Sequence, residues 1–291
     1  ISQSTICDNS VPQIEGLWQD DGDNCIADSC SELDDNDDDG IIDCLDPCPN
    51  EPYNDADGDG LEDCLDPCPD WPEDCVYVDS VPTITIAPGG SISIQDAITY
   101  MPINGIIILE AGTHSITTTL DTLGRAITIR GVADVDGDGK PETTLDGNGE
   151  NTVLTCISGE GSDTVFQDLV ITGGQYQYWQ SADYSWPAGG GMHIKDSSPT
   201  LDNVWFEGNS GTFHGGGGMR IENGDPTLTS CRFNANICGN HAVYGGGGDG
   251  AGMFNDGGSP TLTDCIFKNN TAKEWGGGMY NTGGGTPTLT G

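Results

Sequence analysis

The sequence predicts an all-β solenoid, a coil of three short strands per turn, preceded by an irregular acidic segment. Three observations carry this. Four units recur: GGGMHIKDSSPTLDNVWFEGN (189–209), GGGMRIENGDPTLTSCRFNAN (216–236), GAGMFNDGGSPTLTDCIFKNN (250–270) and GGGMYNTGGGTPTLTG (276–291). Their prolines, Pro199, Pro226, Pro260 and Pro287, fall 27, 34 and 27 residues apart. Such periods, built from short strands and glycine turns, mark a solenoid. Secondly, residues 35–49 (DNDDDGIIDCLDPCP) return at residues 55–69 as DADGDGLEDCLDPCP. Thirdly, eight of the 12 cysteines fall in the first 75 residues.

In chain order, residues 1–79 form the acidic, cysteine-rich segment. Alternating carboxylates precede a glycine twice, Asp35, Asp37, Asp39 before Gly40 and Asp55, Asp57, Asp59 before Gly60, with Asp43, Asp46, Asp63 and Asp66 following. Alternate Asp residues let a tight loop aim several oxygens at one centre while glycine takes the sharp turn, the arrangement of a Ca²⁺ loop. Without a cation the like charges repel and keep the segment unfolded, so loading with Ca²⁺ and folding are coupled. The even cysteine number in so core-poor a segment points to disulfides and an oxidising compartment. Zinc is the rival reading of the C-x₃-C pairs Cys44/Cys48 and Cys64/Cys68, but hard oxygen ligands favour calcium.

The solenoid occupies residues 80–291. It opens with a β-branched run, SVPTITIAPGGSISI, followed by IQDAITYM, in which Ile94, Ala97, Ile98 and Met101 share one face of a short helix. Short β-branched strands bounded by Gly, Asp or Asn follow. In the repeats, Met192, Met219, Met253 and Met279 stack inside, as do Leu201, Leu228, Leu262 and Leu289, and Phe206, Phe233 and Phe267. Asn209, Asn236 and Asn270 lie three residues after each Phe and form a hydrogen-bonded ladder at a turn.

Two families are reached through these residues. Residues 35–69 resemble thrombospondin type-3 calcium repeats of the bacterial kind, matching D-x-D-x-D-G-x-x-D-x-x-D-x-C-P twice. From residue 80 the chain resembles right-handed parallel β-helix proteins, and IQDAITYM sits where such folds carry a capping helix. The GG-apolar and F-x-x-N motifs, Gly190–Met192 with Phe206–Asn209 and Gly217–Met219 with Phe233–Asn236, resemble the repeats of polymorphic outer-membrane proteins. The motifs recur as Gly252–Met253 with Phe267–Asn270, and as Gly277–Met279 without the second half. That resemblance implies an adhesive surface protein, extracellular and bacterial.

Charge restricts the partners. Formal net charge is −39, with 47 acidic and 8 basic residues and no Lys or Arg before Arg125. This excludes nucleic acid, which needs a basic surface, and no stretch reaches the roughly 20 apolar residues of a membrane span. A third acidic loop, ADVDGDGKPETTLDG, offers Asp134, Asp136, Asp138 and Glu142 to Ca²⁺. With Asp134 as position one, position twelve, where an EF-hand places its bidentate Glu, is Leu145, so Glu142 or Asp146 closes the loop instead. A weaker partial match carries Asp21, Asp23 and Asp28.

Insertions lie between an outgoing strand and the next glycine cluster, at 175–188, 210–214, 237–244 and 271–275, so all project from one corner. That corner collects Tyr176, Tyr178, Trp179, Tyr184, Trp186, Phe213, Tyr244 and Trp275, which suit stacking on surface glycans or a protein contact. Asn269-Asn270-Thr271 is one glycosylation sequon. A polysaccharide lyase or hydrolase is the weaker reading: Lys195, Arg220 and Arg232 read as solvated strand residues, and His114, His193, His214 and His241 lack a Ser or Cys partner at a telling distance. Ile1 reads as a processed start, and the last repeat stops midway. An uncapped end exposes strand edges, so head-to-tail self-association into a filament is a further expectation.

Overall fold

The computed structural model describes residues 81–175, 189–212, 215–239 and 248–291, together with the backbone of the strands Thr5–Ile6, Cys25–Ile26 and Cys75–Val78. Two units are distinguished, Ile1–Cys75 and Val76–Gly291. In the first, Thr5–Ile6 pairs in parallel with Cys25–Ile26.

The second unit is a right-handed parallel β-helix, the hand that parallel crossovers take on steric grounds. The first face stacks Leu120–Asp121, Leu154–Cys156, Met192–Lys195, Met219–Glu222, Met253–Asp256 and Met279–Thr282. The second carries Val81–Ile86, Ile106–Leu109, Thr128–Arg130, the first halves of Val165–Thr172 and Thr200–Glu207, then Thr227–Thr229, Thr261–Thr263 and Thr288–Thr290. The third carries Gly112–Ser115, Thr143–Asp146, the second halves of the two long strands, Arg232–Asn234 and Ile266–Lys268.

Three strands per turn are expected from the sequence, and the later coils have four. Ser210–Thr212, Ile237–Gly239 and Thr271–Ala272 form a short fourth face, each starting one residue after a ladder asparagine. Their sequences, SGT, ICG and TA, share no β-branched pattern, which hides them. The bend between second and third faces is set by a column of left-handed residues: Asp168 (φ 54°), Asn203 (φ 52°), Ser230 (φ 54°) and Asp264 (φ 53°). Asp and Asn tolerate this conformation better than other non-glycine residues.

Register is strict. Met192, Met219, Met253 and Met279 pair in series, as do Leu201, Leu228, Leu262 and Leu289. Phe206, Phe233 and Phe267 stack at centroid separations of 4.8 and 4.6 Å, with planes 7° and 3° apart. At the next corner Asn209 Nδ2 donates to Asn236 Oδ1 (3.1 Å) and Asn236 Nδ2 to Asn270 Oδ1 (3.0 Å). The same amides donate to the backbone carbonyls of Ile171 and Phe206, and Asn236 Oδ1 accepts from Asn209 N. Every donor buried at this turn therefore has a partner, as burial demands.

Glycine rows are set by close approach. A Cβ at Gly218 would lie 2.6 Å from the carbonyl oxygen of Gly252, one coil away. Between first and second faces, buried Glu160 clasps successive coils, accepting from the Thr122 and Ser197 hydroxyls (both 2.7 Å) and from Gly124 N (2.8 Å). Burial alone would raise its carboxyl pKa, yet these bonds hold it below the usual range.

The helix Ile94–Tyr100 buries Ile94, Ala97 and Ile98, and Met101 follows fully buried. Ser93 caps it by accepting from Asp96 N. Gln95 binds the backbone of Asp121 through both ends of its amide, and Arg125 donates to the Thr99 and Met101 carbonyls at 2.6 and 2.7 Å. The sequence-predicted capping helix is thus tied to the edge strand of the first face.

Phe233 sits between two rings at 0% exposure, so Phe233→Ala should cost about 3–5 kcal/mol. Urea unfolding should show this as a lower midpoint; an unchanged midpoint would mean that the ring stack is dispensable.

Candidate functional site

Two clusters outside the core carry chemistry. The first is the loop between Thr128–Arg130 and Thr143–Asp146. Its neck is closed by Glu142 N donating to Val132 O (2.8 Å) and Val132 N to Thr143 Oγ1 (2.9 Å). Within it, Asp134 accepts from Gly137 N (2.7 Å) and Gly139 N (2.8 Å), and both glycines take φ 86°. Asp136 accepts from Asp138 N and Asp138 from Lys140 N. These bonds gather the three carboxylates so that one oxygen from each lies within 4.8 Å of the others. The Gly137 N–H, opposed only in part by desolvation, holds the Asp134 carboxyl below its ordinary pKa. An all-oxygen set of this kind suits a hard cation.

Of the four sequence-predicted ligands here, the aspartates come together and Glu142 does not join them; its Oε1 accepts from Val135 N (3.2 Å). Asp146 instead caps Asn148 N. The loop is pinned across two coils by Lys140 Nζ on Glu207 Oε2 at 2.5 Å. The other predicted ligands, Asp35, Asp37, Asp39, Asp43, Asp46, Asp55, Asp57, Asp59, Asp63 and Asp66, lie outside the described residues.

The second cluster lies on the outer side of the first face. Alternation along MHIK, MRIE, MFND and MYNT turns Met inward, so the register lines up His193, Arg220, Phe254 and Tyr280 in one outward row and Lys195, Glu222, Asp256 and Thr282 in the next. Glu222 is the hub. Arg220 Nε donates to its Oε1 at 2.7 Å, His193 Nε2 lies 3.2 Å from the same oxygen, and Lys195 Nζ lies 4.0 Å from Oε2. Arg220 also stands 4.8 Å from the centre of the Phe254 ring and 3.9 Å from Asp256 Oδ2.

This corrects the expectation that Lys195, Arg220 and Arg232 are solvated strand residues. Arg220 is 2% exposed and ion-paired, and Arg232 lies over the Trp205 ring at 4.2 Å. Only Lys195, 49% exposed at its side chain, fits the expectation. His193 also has a partner, but it is a carboxylate rather than Ser or Cys. Both rows are visible when the four methionines are aligned, one and three residues after each Met.

The aromatic corner is partly described. Gln175 and Gly189, Thr212 and Gly215, Gly239 and Gly248, and Ala272 and Gly276 flank the insertions, and each pair lies between the end of one coil and the first-face strand of the next. Tyr176, Tyr178, Trp179, Tyr184, Trp186, Phe213 and Tyr244 lie outside the described residues. Trp275 is 62% exposed, its backbone fixed by Trp275 N on Asp249 Oδ1 (3.0 Å) and Gly250 N on Trp275 O (2.9 Å). Asn269 is exposed at a left-handed corner (φ 57°). Among the described residues no helix is long and apolar enough to cross a membrane.

No protein-family model matches the chain, and no curated protein matches it. Among solved structures it is similar to a pectin methylesterase in complex with a hexasaccharide, at 13% identity and TM-score 0.34, over 64% of this chain and 66% of that one. It is also similar to a PL6 family alginate lyase, at 15% identity and TM-score 0.34, over 91% of this chain. The chain thus spans just under two thirds of the esterase and 38% of the lyase. These likenesses add no argument about chemistry, and the fold rests on the coil topology above.

Glu222 titrates near 2 against an ordinary 4.5: burial raises it, and His193 and Arg220 outweigh that. Because the folded value is depressed, its stabilisation is complete above about pH 4.5 and is lost as pH falls towards 2. Glu222→Gln should therefore be less stable than wild type at pH 7 and should approach it by pH 2. Urea midpoints measured from pH 7 to 2 check this; a constant difference across the range would remove Glu222 as the titrating group.

Proposed function

We propose that this chain is a calcium-stabilised extracellular structural or adhesive protein, a stiff β-helix that offers a glycan-binding corner. The observation that carries the reading is the strict register. Backbone pairing, the Phe stack and the Asn ladder all repeat along the coil axis, while the insertions enter and leave at one corner, where Trp275 stands exposed. Insertions gathered on one side of a solenoid commonly form its binding face. Exposed indole gives a flat apolar surface for a sugar ring, with a polar edge. The acidic repeats at 35–69 and the carboxylate trio at 134–138 support calcium as the stabilising ion. The cysteine-rich segment supports an oxidising, extracellular location.

A second reading, a polysaccharide lyase or hydrolase, has one observation in its favour: His193 is oriented by Glu222 beside Lys195 on an outer sheet face. A base held by a carboxylate is the kind of pair that proton abstraction uses. Product release from polyuronates that disappears in His193→Ala would establish it, whereas binding without cleavage favours the adhesive reading.

Calcium should raise the melting temperature, and the triple variant Asp134→Asn, Asp136→Asn, Asp138→Asn should lose one class of Ca²⁺ site in calorimetric titration. Its melting in chelator should stay at or above that of wild type, because like-charge repulsion is removed. An unaltered titration would show that the trio binds no calcium.

Trp275→Ala should lower retention on glycan arrays about tenfold while leaving the melting temperature unchanged, since stacking on one aromatic contributes on the order of 1 kcal/mol. Undiminished retention would take the site away from this corner.

A further inference from the structure

Cys231 and Cys265 hold the same place in successive coils of the third face. Each follows a left-handed corner residue, Ser230 or Asp264, and each precedes a paired residue, Arg232 or Ile266. Ile266 N donates to Cys231 O at 2.9 Å, so the two backbones run at sheet spacing here, about 4.8 Å. Both side chains belong to the inward row of Leu169 and Val204, and Cys231 is fully buried. The Cys231 thiol donates to Thr229 O (3.4 Å) and the Cys265 thiol to Thr263 O (3.5 Å). In the structure both are free thiols.

We infer that Cys231 and Cys265 form a cross-linking site, where a small-molecule disulfide oxidant, of the kind an oxidising compartment supplies, converts the pair into an inter-coil disulfide. Parallel neighbours place the Cα atoms inside the span a disulfide bridges, and the Cβ atoms must close by about 1 Å. The bond would therefore be more easily reduced than an unstrained one. The Cys265 thiolate attacks one sulfur of the oxidant, expels a thiolate and leaves a mixed disulfide. Cys231 then loses its proton to solvent and attacks Cys265 Sγ, expelling the second thiolate. Two electrons pass to the oxidant, and the two protons of the cysteines are released. The order follows from the surroundings: Cys265 is only partly buried and open to the oxidant, whereas Cys231 is buried, which raises its thiol.

The location is apt. The staple would close a separation of 34 residues, Cys231 to Cys265, equal to the longest repeat interval, Pro226 to Pro260, where the others are 27. Closing a longer excursion removes more freedom from the unfolded chain.

The test is a peptide map of the whole chain equilibrated with oxidised and reduced glutathione, with remaining thiols alkylated after denaturation. The expected result is a peptide pair joined through Cys231 and Cys265, absent from Cys265→Ser. Oxidised wild type should melt several degrees (~3–8 °C) above the form reduced at these two residues. Recovery of both cysteines as alkylated thiols under oxidising conditions, or joined to other partners such as Cys238, would overturn the proposal. Because serine at a partly buried site can lower stability on its own, the wild-type map decides.

Discussion

In-register stacking of the coils is the constraint from which the rest of the second unit follows. A parallel strand pair repeats the same residue position about every 4.8 Å along the axis, so each side chain meets its own counterpart from the next coil. Only residue types that tolerate a copy of themselves above and below can fill a row. Phe stacks face to face (Phe206, Phe233, Phe267), Asn donates with one end of its amide and accepts with the other (Asn209, Asn236, Asn270), and Met and Leu interlock. Charged residues tolerate such repetition poorly, because a carboxylate above a carboxylate is repulsive at this spacing. The row Lys195, Glu222, Asp256, Thr282 shows the consequence: Glu222 is followed by Asp256, and the strain of that contact is relieved by Arg220, which reaches both.

The few cations are placed accordingly. Arg125 satisfies the last carbonyls of the helix, Lys140 holds the acidic loop to Glu207, and Arg220 and Lys195 surround Glu222. All 8 basic residues are already counted in the formal charge of −39. This excess of carboxylate is the ground on which we propose Ca²⁺ as the stabilising ion, since one Ca²⁺ compensates two carboxylates.

Much of this was legible in the sequence. The repeat period, the inward Met, Leu and Phe rows, the Asn ladder and the helix face of Ile94, Ala97, Ile98 and Met101 all follow from spacing, because a solenoid converts sequence period directly into stacking. What escaped was whatever lacks a row of its own. The fourth face is made of SGT, ICG and TA, segments with no shared pattern, and it exists because the ladder asparagine ends one strand and frees the next residues to pair. The Glu222 cluster escaped for the opposite reason. Its members differ from coil to coil, His193 beside Arg220 and Lys195 beside Glu222, so self-similarity conceals them, and only the difference between rows reveals a site. Glu142, assigned to the metal from its spacing, accepts from Val135 N while the three aspartates gather beside it.

The same reasoning explains why variation gathers at one corner. At the turn before each first-face strand, glycines bring successive coils so close that a Cβ at Gly191, Gly218 or Gly252 would meet a carbonyl of the next coil at 2.3–2.6 Å. Such a corner fixes the chain at its inner edge through backbone alone. The described ends of the stretches ahead of it, Ser210–Thr212, Ile237–Gly239 and Thr271–Ala272, pair with one another and leave the other rows in register. Elsewhere an extra residue would shift a strand by one position and turn its core side chains to solvent. At this corner the register is restored, as the paired methionines on either side of the 237–244 insertion, Met219 and Met253, demonstrate. The sequence at this corner can therefore vary while the coil beneath remains the same.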